Sequence, residues 1–255
     1  MTDLLTYEQP LNEVIRVGLR LEQLFQQVDH YRTDTTPLGT RTLVVLLMNI
    51  LHLLDRPDLK AKLAKELSQH LSNIMRLEHT PEIDKEKWHQ TTSQLDTLIR
   101  SFIESSGKIG QRLRDIELLN TLRLHLASPG GGCSFDIPLY HYWLHLPIEQ
   151  RQATLNDWFG EFAQIRSATE LLLKLVREGS KTHPKTAVHG FYQELLDPQM
   201  NLRMIRVSVS DKVQAFPEIS IGRHFLSIRF FVIDINKRPV QYTQNVDFML
   251  AYCNS

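Results

Sequence analysis

The sequence predicts an α+β protein in which helices come first and strands last. Two observations carry that prediction. Through the first two thirds of the chain, apolar residues recur at three- and four-residue steps, the period of one helix face. Beyond residue 200 the period drops to two, and Ile205, Val207 and Val209 alternate with Arg206, Ser208 and Ser210. The expected grouping is a mostly helical domain from 1–128 with 148–182, and an antiparallel β domain from 129–147 with 183–255.

The first helix is read from Leu11 to Val28, where Val14, Leu21, Phe25 and Val28, with Gly18, form one row. Arg16, Arg20, Gln23 and Gln27 form a second, polar row at the same spacing, so the two arginines lie one turn apart. Pro37 and Gly39 break the chain before a second helix over Leu43 to Leu54, which ends near Arg56-Pro57. Asp58 stands where it can cap a third helix, whose row is Leu59, Leu63, Leu67, Leu71 and Ile74. Thr80-Pro81-Glu82 supplies a cap and an N1 proline for a fourth. That helix turns Trp88, Leu95, Leu98, Phe102 and Ile103 inward and stops at Ser105-Ser106-Gly107. A fifth runs through Leu113, Ile116, Leu119, Leu122 and Leu126 to Pro129-Gly130. After Pro147 a long pattern resumes with Leu155, Trp158, Phe162, Ile165, Leu172 and Val176, and Gly179 is its C-cap.

Leu226, Ile228 and Phe230 repeat the two-residue alternation, as do Val246, Phe248 and Leu250. Asn236-Lys237-Arg238-Pro239 is turn chemistry between those two strands. Val188 to Glu194 is a weaker strand, and Cys133 to Asp136 is placed as an extra one from mid-chain.

Composition narrows the function. The 255 residues include 42% hydrophobic and 23% charged, enough for a core and against long disorder. Twenty-nine basic residues balance 29 acidic ones, which disfavours a nucleic-acid binder that works by overall charge. Cys133 and Cys253 are too few for a disulfide framework, so a reduced, cytoplasmic setting is expected. Met1-Thr2-Asp3-Leu4-Leu5 lacks the basic start of a secretory signal. The apolar run Leu43 to Leu54 is too short to cross a bilayer, which needs about 20 residues. No membrane insertion is expected.

The densest chemistry lies between Ser128 and Pro147, with Pro129, the glycines Gly130 to Gly132, Cys133, Asp136, His141, Trp143 and His145. No Lys-Ser or Lys-Thr follows the glycines, so they are read as positive-φ residues that end a helix and turn the chain toward the sheet. Cys133 with His141 or His145, and Asp136 behind, sketches a thiol site, but the segment matches no nucleophile motif and a structural cysteine is the simpler reading. His183 and His189 lack an acidic partner at ligand spacing. No cofactor or metal is expected, and the chain is not read as an enzyme.

The arginines form the more informative set. Arg16, Arg20, Arg56, Arg114, Arg223 and Arg229 are spread along the chain. Singly, each reads as a solvated surface charge. Collectively, they would suit a groove for an acidic peptide, because a guanidinium presents a planar fork to a carboxylate.

The run Pro129-Gly130-Gly131 with Cys133, Phe135, Asp136, Pro138, His141, Trp143 and Leu144 resembles the signature of the ZapD family of bacterial division proteins. Pro10-Leu11-Asn12-Glu13, Ile109-Gly110-Gln111, Gly190-Phe191-Tyr192-Gln193 and Ser227-Ile228-Arg229-Phe230 extend the resemblance along nearly the whole chain. It implies a cytoplasmic homodimer at the mid-cell division site, with a helical and a β domain. It further implies a basic pocket that binds the C-terminal tail of the tubulin-like protein FtsZ, so that the dimer bundles FtsZ filaments. Carried onto this chain, the pocket would hold Arg16, Arg20, Arg56, Arg114 and His141, with Arg223 and Arg229. Glu117 departs from the family pattern, in which basic residues occur there, and bears on the rim of that pocket. A nucleic-acid-binding helical protein and a thiol enzyme using Cys133 are the alternatives.

Overall fold

The first strand of the structure is one the alternation did not announce. In the computed structural model, which describes residues 4–76, 78, 84–197 and 199–254, β1 (Leu4–Pro10) precedes the helices and pairs antiparallel with β4 (Leu202–Ser210). Nine helices follow among the described residues: α1 (Glu13–Tyr31), α2 (Pro37–Leu53), α3 (Leu59–Met75), α4 (Lys85–Glu104), α5 (Gln111–Arg114), α6 (Glu117–His125), α7 (Pro138–Leu144), α8 (Ile148–Gly160) and α9 (Ala163–Glu178). The remaining strands are β2 (Thr182–Ala187), β3 (Phe191–Leu195), β5 (Ala215–Ile221), β6 (Phe225–Val232) and β7 (Val246–Asn254). The α+β order is therefore as expected.

Where the helices differ from expectation, capping and packing explain it. Pro37 does not break the chain; it is the first residue of α2, where its missing N–H costs nothing. The Thr36 hydroxyl caps that helix by accepting from Gly39 N at 3.0 Å. Asp58 does precede α3, but its carboxylate makes no cap hydrogen bond. Thr80, Pro81 and Glu82 lie outside the described residues, and Asp84 caps α4 by accepting from Glu86 N and Lys87 N. Ile103 points outward at 70% exposure, while Leu95, Leu98, Ile99 and Phe102 form the buried row. The expected fifth helix is two, α5 and α6, separated at Asp115-Ile116. The long helix after Pro147 is also two, separated at Glu161-Phe162.

The chain folds into two compact units, 17–173 and 1–16 with 174–255. Residues 129–147, assigned to the strands on sequence grounds, fall in the first of these. Cys133 to Asp136 form a turn and not a strand: the N–H groups of Asp136 and Ile137 both donate to Cys133 O at 3.1 Å. The following residues make the short helix α7, which no periodicity in the sequence announces.

The β unit holds two antiparallel sheets, ordered β1-β4-β7-β2 and β3-β6-β5. Strict alternation turns Ile205, Val207 and Val209 of β4, Val246, Phe248 and Leu250 of β7, and Leu226, Ile228 and Phe230 of β6 into one core shared by both sheets. In the 17–173 unit, the buried core includes Leu21, Leu47, Ile50, Leu67, Leu95, Leu113 and Phe162.

Candidate functional site

The residues expected to bind a partner are set by the elements that carry them. Asn12 begins α1: its Oδ1 accepts from Ile15 N at 2.8 Å and its carbonyl from Arg16 N at 3.2 Å. The helix then buries Val14, Ile15, Val17, Leu21, Phe25 and Val28, which leaves Arg16 and Arg20 exposed one turn apart. Among the described residues, neither guanidinium makes an ion pair or a hydrogen bond.

Arg56 is exposed in the connection between α2 and α3. Arg114 is placed differently. Its side chain is only 11% exposed, its Nη2 donates to Leu51 O at 2.8 Å, and its Nη1 lies 3.6 Å from Asp55 Oδ1. Lys108 Nζ reaches the same oxygen at 3.1 Å. The hydrogen bond from Lys108, and then the Arg114 charge, hold the Asp55 carboxyl below its usual pKa. Arg114 thus braces the end of α2 from inside, next to Arg56. In the β unit, Arg223 is exposed in the turn between β5 and β6, and Arg229 lies on β6 with its guanidinium 5.5 Å from the Phe191 ring centroid. Neither pairs with a carboxylate among the described residues. Arg16, Arg223 and Arg229 thus belong to the β unit, and Arg20, Arg56, Arg114 and His141 to the helical one.

His141 is exposed on α7, its ring 4.6 Å from that of His145, whose Nδ1 hydrogen-bonds the His141 carbonyl at 2.8 Å. The loop before α7 is braced by two groups. Arg41 donates to the carbonyls of Gly131 (2.6 Å) and Gly132 (3.2 Å). Asp136 Oδ2 accepts from the N–H of Gly132 at 3.0 Å and of Cys133 at 3.1 Å. Gly130 and Gly132 have φ of 74° and 80°, as expected of them. Gly131 is required for space, since a Cβ there would stand 1.9 Å from His125 O.

Among the described residues, Cys133 hydrogen-bonds neither His141 nor His145. Cys133 Sγ donates to Gly130 O at 3.1 Å, and Asp136 faces backbone N–H groups and, at 3.8 Å, His125 Nδ1. His189 adopts a left-handed turn and hydrogen-bonds the Thr243 carbonyl. Among the described residues no three His, Cys, Asp or Glu side chains form a group able to hold a metal. No helix there is long and apolar enough to cross a membrane.

Sequence reasoning missed Arg41 and Arg151. Arg151 is 5% exposed and donates to Leu146 O (3.0 Å), Thr35 O (3.0 Å), Thr36 O (3.3 Å) and the Thr40 hydroxyl, which ties the α7–α8 turn to the start of α2. Its signal was its place in the row Arg151, Leu155, Trp158, on the buried face of α8.

Comparison with known proteins adds a whole-chain likeness. The ZapD family model, described as a cell division protein, matches residues 19–229. A "Cell division protein ZapD" of Coxiella burnetii (strain RSA 493 / Nine Mile phase I) is 35% identical over 251 residues, covering 98% of this chain and 97% of that protein. Proteins of the same name from Methylococcus capsulatus (34% over 253 residues, 99% of each chain) and Nitrosomonas europaea (33% over 248 residues, 97% and 94%) are similar throughout.

Proposed function

This chain belongs to the ZapD family of cell division proteins, and we propose that it binds the C-terminal tail of FtsZ and, as a cytoplasmic homodimer at mid-cell, crosslinks FtsZ filaments. The observation that carries this reading is a partition among the arginines. Arg100, Arg112, Arg166, Arg177 and Arg206 each lie within ion-pair distance of a carboxylate. Arg16, Arg20, Arg223 and Arg229 do not, among the described residues, although all four are exposed; Arg32, Arg76, Arg123 and Arg238 share that state, and the family resemblance along the chain is what selects the first four. Exposed guanidinium groups with no internal partner favour an acidic ligand, which they can grip through two parallel hydrogen bonds.

The contact set in this reading is Arg16, Arg20, Arg56, His141, Arg223 and Arg229, and Arg114 supports it through Leu51 and Asp55. The protein acts by binding and not by catalysis. Two tail sites per dimer raise the effective affinity for a filament without any new contact, provided their spacing matches that of neighbouring tails.

Co-sedimentation with polymerised FtsZ from the same organism, in GTP, tests the reading beside FtsZ lacking its tail. Pelleting and bundling only with the intact tail is the expected result. A protein that stays in the supernatant in both cases overturns it.

A further inference from the structure

Two imidazoles on α7 are used only in part by the tail-binding reading. His141 and His145 stand four residues apart, so they share one face of α7 and its C-cap, and both are exposed. Their ring centres lie 4.6 Å apart with the planes inclined at 52°. The way the helix ends sets the state of one ring. The His145 N–H turns back to the Tyr142 carbonyl at 3.0 Å, and the His141 carbonyl is taken instead by His145 Nδ1 at 2.8 Å. A carbonyl only accepts, so in the neutral ring Nδ1 carries the proton and the Nε2 lone pair is bare. Capping the helix accounts for Nδ1 and leaves Nε2 without a task. Among the described residues, no hydrogen bond or ion pair occupies the nitrogens of the His141 ring.

We propose that His141 and His145 Nε2 form a two-imidazole site for a divalent transition-metal ion of the Cu²⁺, Ni²⁺ and Zn²⁺ class. Imidazole suits these ions, and a backbone carbonyl that accepts from the opposite ring nitrogen is a common support of a ligating histidine. The ring spacing agrees with chelation. An imidazole bound at about 2.1 Å puts its ring centre about 3.2 Å from the ion, so two at a right angle have centres about 4.5 Å apart. At the tetrahedral angle the separation is about 5.2 Å. The observed 4.6 Å matches the first, which favours Cu²⁺ and Ni²⁺, with their right-angled positions, over tetrahedral Zn²⁺. Two protein ligands make an open site, unlike a structural zinc centre with four, and leave positions for water or for the carboxylate of a bound ligand. The site does not rest on the tail-binding reading, although an ion there adds positive charge beside His141 for an acidic ligand.

Calorimetric titration of the metal-free, full-length protein with Ni²⁺, and separately with Mg²⁺, tests the site. The wild type is expected to take up one Ni²⁺ per chain at its tightest site. His141→Ala is expected to lower that affinity about tenfold or more, because a chelate becomes a single ligand. The substitution keeps the His141 carbonyl, and with it the bond from His145. His145→Ala is expected to lose as much, and the double variant no more than either single one, since two groups that grip one ion are not additive. Losses that add in the double variant reveal two separate weak sites and overturn the proposal, as does unchanged affinity in His141→Ala. Mg²⁺ prefers oxygen ligands and is expected not to bind; Mg²⁺ uptake equal to that of Ni²⁺ overturns imidazole ligation. Should His145→Ala disturb α7, nitrogen NMR of the histidine rings in the wild type takes its place. Zn²⁺ is then expected to shift His145 Nε2, and a shift confined to Nδ1, or none at either nitrogen, overturns the assignment. The tail-binding reading stands or falls apart from all of these results.

Discussion

Tyr140 is buried for its ring and not for its hydroxyl. The ring stacks 6.1 Å from Trp143, which lies 5.5 Å from Trp158, while the hydroxyl has no hydrogen-bond partner among the described residues. Burial pushes its pKa from 10 up to about 12, against the opposing pull of the Arg41 charge. Since the folded value lies above the unfolded one, the unfolded chain loses its proton first, and stability falls as pH rises from about 10 to 12. Tyr140→Phe is therefore expected to be neutral or stabilising by up to about 1 kcal/mol at pH 7. It should also reduce the loss of melting temperature above pH 10, which parallel thermal melts of variant and wild type would measure. Gly131 poses the opposite case, a residue fixed by what it lacks. Gly131→Ala drives a methyl into the His125 carbonyl and is expected to cost about 2 kcal/mol or more. A melting temperature equal to that of the wild type would refute that account.

At the scale of elements, α7 has seven residues and no side-chain N-cap, too short to be stable alone. It persists because Arg41 and Asp136 fix the loop before it and Arg151 fixes the turn after it. Arg151→Gln strands the carbonyls of Thr35 and Leu146 and is expected to lower stability by about 2–4 kcal/mol, read by chemical denaturation. Interior position also decides what could be read from the sequence. The three strands evident from alternation, β4, β6 and β7, are the central strands of their sheets, whose core-facing side chains must be apolar. The strands that were missed, β1, β2 and β5, and the weakly marked β3, are all edges. An edge strand tolerates Pro184 and Pro217 and a polar face, so its pattern fades. The helical rows gave the buried faces but not the breaks: at Asp115-Ile116 no proline or glycine marks the interruption, and at Glu161-Phe162 the adjacent Gly160, the last residue of α8, lies within an otherwise unbroken apolar row. The basic residues of the candidate site were visible as residue types. Arg16 faces outward as its place in the polar row of α1 predicts, whereas Arg114 faces inward through contacts with Leu51 and Asp55 that no local pattern encodes.

For the whole molecule, zero net charge leaves function to the way charges are paired. Arg166 is held by both carboxylate oxygens of Asp29 at 2.8 and 2.6 Å and by Glu170 at 2.8 Å. The hydrogen bond from Arg166 depresses the Asp29 pKa, so its contribution to stability is present above the unfolded carboxyl value and is lost as pH falls through the folded one. Such an arginine is committed to the fold, and its reversal would cost stability. Arg16 and Arg20 hold no carboxylate among the described residues, so reversing them removes nothing from the folded state. Arg16→Glu with Arg20→Glu is accordingly expected to abolish FtsZ bundling while the melting temperature stays within about 2 °C of the wild type, because isolated surface charges are worth little to stability. Light scattering of polymerised FtsZ, run beside thermal melts, separates the two effects. Bundling that survives in the folded double variant would remove these arginines from the site. Collapse of the melting temperature would show that they serve the fold instead.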